Sequence, residues 1–174
     1  MSKRLPVRLD ALRAAERGLR YEGALPLRDM SRLRALLADD GGSAAVALDF
    51  HQAGSERYRL DCRITAELPL VCQRCLEPVA FPVALSLALG LVRSDAEMER
   101  LGHEREPVLV GEDGELEIAA LVEDELLLAL PDYPRHASGC ELPAIEPLAE
   151  APAEVENEPP RENPFAGLAD LLKH

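Results

Sequence analysis

The stretch "YRLDCRITAELPLVCQRCLEPVAFPVALSLALGL", Tyr58 to Leu91, sets two runs of strict alternation on either side of a pair of cysteines. In the first run Tyr58, Leu60, Cys62, Ile64, Ala66 and Leu68 alternate with Arg59, Asp61, Arg63, Thr65 and Glu67. A period of two is that of a strand with one buried face. The second run, Val79, Phe81, Val83, Leu85, Leu87, Leu89 and Leu91, repeats it. "CQRCLEP" is therefore expected at the end of a long hairpin, with Pro78 and Pro82 discouraging further pairing there. Cys62 falls in the core register and reads as a small buried hydrophobe.

Outward from the hairpin, "SAAVALDF" has the same period and predicts a further strand, and "LPVRL" a short one. "DALRAAERG" predicts a helix capped by Asp10 and stopped by Gly18, and "RDMSRLRALLADDGG" a second helix ended by glycines. A polar loop is expected from Arg93 to about Glu115. "ELEIAALVEDELLLALP" then reads as a helix stopped by Pro131, with Ile118, Leu121, Val122, Leu126 and Ala129 as its apolar stripe. Glu125 lies close to that stripe, so it either reaches solvent at the edge or meets a buried cation. The expected fold class is α+β: an antiparallel β-sheet with covering helices over residues 1–140, then a mostly disordered acidic tail over 141–174. The tail is rich in Pro, Glu and Ala with no usable period. Its end, "NPFAGLADLLKH", reads as a short amphipathic segment that either folds back on its own domain or docks on a partner.

The chain has 174 residues, a formal charge of −13, 3% aromatics and no Trp, so its core must be built from aliphatic side chains. The charge is uneven. Met1 to Leu37 holds nine Lys and Arg against four acids, whereas Glu141 to His174 holds eight acids against two bases. Overall acidity repels nucleic-acid phosphate, while Arg13 and Arg17, and likewise Arg28 and Arg32, at i,i+4 spacing, offer a local anionic contact or an ordinary solvated face. No apolar segment follows "MSKRLPVRLD" and no stretch is long enough to cross a bilayer, so a soluble, cytoplasmic protein with no membrane partner is expected. In a reducing compartment the four cysteines are expected as free thiols, metal ligands or redox groups.

Cys72 and Cys75 are followed by "PDYPRHASGC", where His136 and Cys140 are spaced H-x-x-x-C. A turn presenting C-x-x-C aims two sulfurs at one ion, and a loop supplying His and Cys completes a tetrahedral Cys₃His site for one structural Zn²⁺. Three thiolates and one imidazole leave one net negative charge, which Arg74 can offset. Two other readings stay open: ordinary turn and packing residues, and a thiol-dependent oxidoreductase using Cys72 and Cys75. The redox reading wants the motif at a helix N-terminus, and here it lies between strands. No Ser-His-Asp array, phosphate-cradling glycine loop or carboxylate pair stands out, and no small-molecule substrate is evident.

"PLVCQRCLEPV", then "LVEDELLLALPDYPRH" with a following Cys, then "NPFAGLADLL" resemble, in that order, the YceD family of bacterial and plastid proteins. The resemblance runs from about Leu60 through most of the chain. It implies a non-enzymatic factor in the synthesis, processing or stability of large-subunit (23S) ribosomal RNA. It carries over to Cys72, Gln73, Arg74, Cys75, Glu123, Asp124, Glu125, Pro131, His136 and Cys140, and leaves Cys62 outside. The implied partner is a ribosomal precursor. Net acidity and few stacking aromatics favour a basic ribosomal protein bound through acidic surfaces, with direct rRNA contact through Arg13, Arg17, Arg28 and Arg32 as the other route.

Overall fold

The computed structural model describes residues 5–52, 58–101, 105–138 and 140. They all belong to the first of the chain's two units, Met1–Pro143. In chain order the elements are β1 Arg8–Asp10, α1 Ala11–Glu16, β2 Arg20–Pro26, a 3-10 turn Leu27–Asp29, α2 Ser31–Arg34, β3 Ser43–Gln52, β4 Tyr58–Val71, β5 Pro78–Val92, α3 Asp95–Leu101, β6 Glu106–Leu109, β7 Glu115–Glu117 and α4 Ile118–Leu128. The fold is α+β. The acidic tail and its amphipathic end lie outside the described residues.

The long hairpin forms as its alternation dictates, with Cys62 opposite Leu87, Ile64 opposite Leu85, and closure at Val71 opposite Pro78. Around it the strand order is β2-β3-β4-β5-β6, and β1 pairs with β7 in a separate two-stranded ribbon. Pairing is antiparallel except at one edge, where β6 runs parallel to β5. Parallel neighbours need a crossover, and the segment carrying α3 supplies it. Gly90 of β5 makes room for that helix, since a Cβ there would collide with the Leu101 side chain.

One face of the sheet builds the core. Leu48, Phe50, Leu60, Ile64, Leu68 and Leu89 are buried from the strands, and Ile118, Leu121, Val122 and Leu126 of α4 join the same cluster. Their i, i+3, i+4, i+8 spacing is the helical stripe read from the sequence. Helix α1 contributes Ala11, Ala14 and Ala15, residues small enough to bring its backbone close to β3. Asp10 caps it, accepting the Arg13 N–H at 2.9 Å. Gly18, at φ +58°, ends it in the left-handed conformation that lets the Leu19 N–H reach Ala14 O at 3.0 Å. None of the described helices is long and apolar enough to cross a membrane.

Four expectations need correction. The helix expected over 28–42 shrinks to a 3-10 turn and the single turn of α2, because Met30 at its N-cap offers no side-chain cap and the glycines and aspartates beyond favour turns. The polar loop expected from Arg93 to about Glu115 contains α3 and β6, and Glu115–Glu117, expected as the start of the last helix, form β7. Strand β2 has no expected counterpart. Finally, Pro78 and Pro82 do not stop pairing: both lie in β5, opposite Val71 and Glu67. They are tolerated because β6 meets β5 only from Leu89 to Val92, so no other described strand calls on their missing N–H groups.

Candidate metal centre

At the hairpin tip the ladder continues for one more step, the Cys72 N–H donating to Glu77 O at 2.9 Å, before the Leu76 N–H closes the turn on Cys72 O at 3.0 Å. That closure puts Leu76 at φ +64°, a conformation few side chains adopt. It also turns backbone donors inward, so the Arg74 N–H reaches Cys72 Sγ at 3.4 Å. The segment after α4 comes to the same place: the Gln73 N–H donates to Pro134 O at 2.8 Å, lashing the tip to the residues just before His136.

The Sγ atoms of Cys72, Cys75 and Cys140 and a ring nitrogen of His136 then lie within 4.8 Å of one another. Cys72 Sγ is 4.0 Å from Cys140 Sγ, and Cys75 Sγ is 3.5 Å from His136 Nδ1. A tetrahedral ion with Zn–S bonds of about 2.3 Å holds its sulfurs about 3.8 Å apart, so the donor set fits zinc in spacing as well as chemistry. A disulfide, which needs about 2.05 Å, does not describe the Cys72 and Cys140 pair. The other imidazole nitrogen, His136 Nε2, is 3.2 Å from Pro78 O. A carbonyl only accepts, so Nε2 carries the proton and Nδ1 turns its lone pair to the thiols, the arrangement that outer hydrogen bonds impose on ligating histidines.

The thiols are electrostatically unequal. The backbone N–H of Cys75, with those of Arg74 and His136, brings the Cys72 thiol down to about 5 against the opposing effect of burial. Cys140 is pushed up, by burial and by the neighbouring Cys72 and Cys75 sulfurs. Cys72 is fully buried and Cys75 nearly so, which shuts the dithiol away from a bulky disulfide substrate. The low Cys72 value comes from turn amides, not from the helix N-terminus a redox dithiol uses.

Glu123 and Asp124 of the same motif lie elsewhere. Glu123 is buried at 9% side-chain exposure and accepts the N–H groups of Arg32 and Leu33 at 2.7 and 3.0 Å and the Arg32 guanidinium at 3.0 Å. Burial alone would raise its carboxyl, but the Leu33 N–H and the Arg32 contacts more than offset it and hold it below the usual range. Asp124 takes the other side of the same guanidinium at 2.6 Å. Glu123 of α4 therefore supplies the cap that α2 lacks. Glu125 does not meet a cation among the described residues. It is buried, and burial, reinforced by Glu106 and Asp124, pushes its carboxyl up.

Three of the four N-terminal arginines lie beside carboxylates. Arg32 is tied to α4, Arg13 lies 3.2 Å from Asp10, and Arg28 lies 3.9 Å from Asp29. Arg17 is exposed just past α1. Cys62 is buried, its thiol pushed up to about 12 by burial and then by Glu125. Sequence reasoning had no means of finding Pro78 O or Pro134 O, backbone acceptors that become visible only when the two segments meet.

A family described as "Large ribosomal RNA subunit accumulation protein YceD" matches residues 60–172. A relative of that description from Haemophilus influenzae is 32% identical over 170 residues, spanning 97% of this chain and 96% of the relative. No solved structure matches.

Proposed function

The chain belongs to the YceD family, and on that premise we propose that it is a non-enzymatic cytoplasmic factor in the synthesis, processing or stability of large-subunit (23S) ribosomal RNA. The observation that carries this reading is the near end-to-end match to a relative bearing that description. The geometry supports the non-enzymatic part: four protein ligands around one ion leave no open position for a substrate, as in structural zinc sites. Cys72, Cys75, His136 and Cys140 would hold the Zn²⁺, which supplies a cross-link between the hairpin tip and the segment after α4. Residues 1–140 form the working domain, with 141–174 as an acidic tail.

The partner in this reading is a ribosomal precursor, gripped through a basic ribosomal protein that complements the charge of −13. Association should survive nuclease and weaken steeply with salt. In cells stripped of the chain, 23S rRNA should fall relative to small-subunit rRNA and return with the intact gene. Unchanged 23S rRNA would overturn the proposal, and complete release by nuclease would overturn its protein-partner part.

A further inference from the structure

The residues around the cysteines have a surface that the four candidate ligands do not use. Tyr133 is 73% exposed, the only aromatic among the large exposed hydrophobics of the described residues. It stands on a segment fixed on its C-terminal side, at Pro134 O by the Gln73 N–H and at His136 by Pro78 O. Across that lashing the tip exposes Gln73, Arg74 and Leu76, the last at 66%. Leu76 sits at φ +64°, where glycine would be unstrained. Retained strain of this kind marks a side chain worth testing for function.

Among the described residues the arginines divide into ion-paired ones and free ones, the latter including exposed Arg17, Arg34 and Arg63 as well as two at this end. Arg8, Arg13, Arg20, Arg32 and Arg105 each lie against a carboxylate. Arg74 and Arg135 are exposed and have no ion-pair partner among the described residues. We propose that this end takes a short unpaired segment of RNA, one base stacked on Tyr133, phosphates on Arg74 and Arg135, and a base edge on the Gln73 amide.

The proposal rests on the ribosomal reading for its choice of partner and moves the RNA contact away from the N-terminal arginines. A planar aromatic, two planar guanidiniums and an amide suit splayed bases. Glu77 and Asp132 are exposed in the same two segments, so there is no cation surplus with which to grip the many phosphates of a duplex. Stacking then contributes most of the selectivity. Because the ring's segment is lashed before RNA arrives, little ordering remains to be done on binding.

The test is fluorescence anisotropy of the full-length protein, as purified, with a labelled single-stranded RNA of about twelve nucleotides, the same sequence displayed as a hairpin loop, and the fully paired duplex. Single strand and loop should bind at least about tenfold tighter than duplex, since only they offer a stackable face. Tyr133→Ala should weaken them roughly 5- to 100-fold, the range expected for one stacked base, while Tyr133→Phe keeps the affinity. Arg74→Ala and Arg135→Ala should each make the salt dependence shallower by about one phosphate contact. Metal content and melting temperature, measured alongside, should stay at the parent values for the two Tyr133 variants and for Arg135→Ala.

Binding of duplex as well as single strand, or equal affinity of Tyr133→Ala, would overturn the proposal. So would the finding that Tyr133→Ala loses nuclease-treated precursor protein and leaves RNA affinity unchanged, which would assign the surface to a protein pocket. The cellular 23S measurement uses no binding assay, so each reading can fail without the other.

Discussion

Helix α4 is seated by burial and the Glu123 carboxylate, while the segment after it is tied to the hairpin tip by one backbone hydrogen bond and brings sulfur and nitrogen donors together there. Under α4, Ile118, Val122 and Leu126 are fully buried against strands whose inward faces are Leu, Ile and Phe. Glu123 satisfies two backbone N–H groups of α2 and a guanidinium at once. At the hairpin tip and on the segment after α4 the large side chains Leu76 and Tyr133 are exposed instead, and what the tip buries is Cys72 and Cys75. Apolar burial makes the first region self-sufficient. The second has three donors of high metal affinity and one oriented imidazole where a core would otherwise be, so its order should depend on the ion.

The largest effect expected from breaking this contrast is Cys72→Ser. Structural zinc sites contribute on the order of 10 kcal/mol of apparent binding free energy to folding, so losing one ligand should lower stability by several kcal/mol and release the metal. Cys62→Ser, in the other region, should cost only about 1–3 kcal/mol for burying a hydroxyl, with metal retained. Chemical unfolding read by circular dichroism compares the two, and equal losses would erase the distinction.

Next in size is Glu123→Gln, expected to cost about 1–3 kcal/mol by weakening the acceptor for two amides and Arg32. Its carboxyl is held below the usual range, so the latch is at full strength above the ordinary carboxylate pKa and is lost as pH falls through its own lower value. Glu123→Gln should therefore flatten the acid limb of the stability profile, and an unchanged limb would count against the latch.

Glu125→Gln should act in the opposite direction and least. Its folded carboxyl is raised, so its contribution is present below the ordinary carboxylate pKa and declines as pH rises through the folded value. Neutralising it should stabilise the protein at neutral pH by about 1 kcal/mol or less. Destabilisation there would point to a cationic partner for Glu125.

The sequence readings hold where a single local pattern suffices. Alternation fixes β3, β4 and β5, and the 3.6-residue stripe fixes α4, because each buries one continuous face. Strand β2, "RYEGALP", has Gly and Pro and no clean period, and its identity comes from its pairing with β3. Helix α2 has its cap on a residue about ninety positions away, which no window can see. Helix α3 is different: Ser94 Oγ accepts the Glu97 N–H at 3.3 Å and Glu97 accepts the Arg93 N–H at 2.8 Å, a capping pattern that was there to be read. At the site, the identities of the four candidate ligands were legible from C-x-x-C and H-x-x-x-C. The choice of Nδ1 was not, since it depends on where Pro78 O ends up. Nor was the pairing of Arg32 with Glu123 and Asp124.

The contrast between the two regions comes down to one quantity, the metal content of the protein purified without added metal and without a metal-binding tag. Elemental analysis should find about one zinc per chain, falling to near zero in Cys72→Ser and unchanged in Glu123→Gln. A parent protein that folds and carries no zinc or other divalent metal would contradict the account and leave Cys72, Cys75, His136 and Cys140 as packing residues of a tight turn.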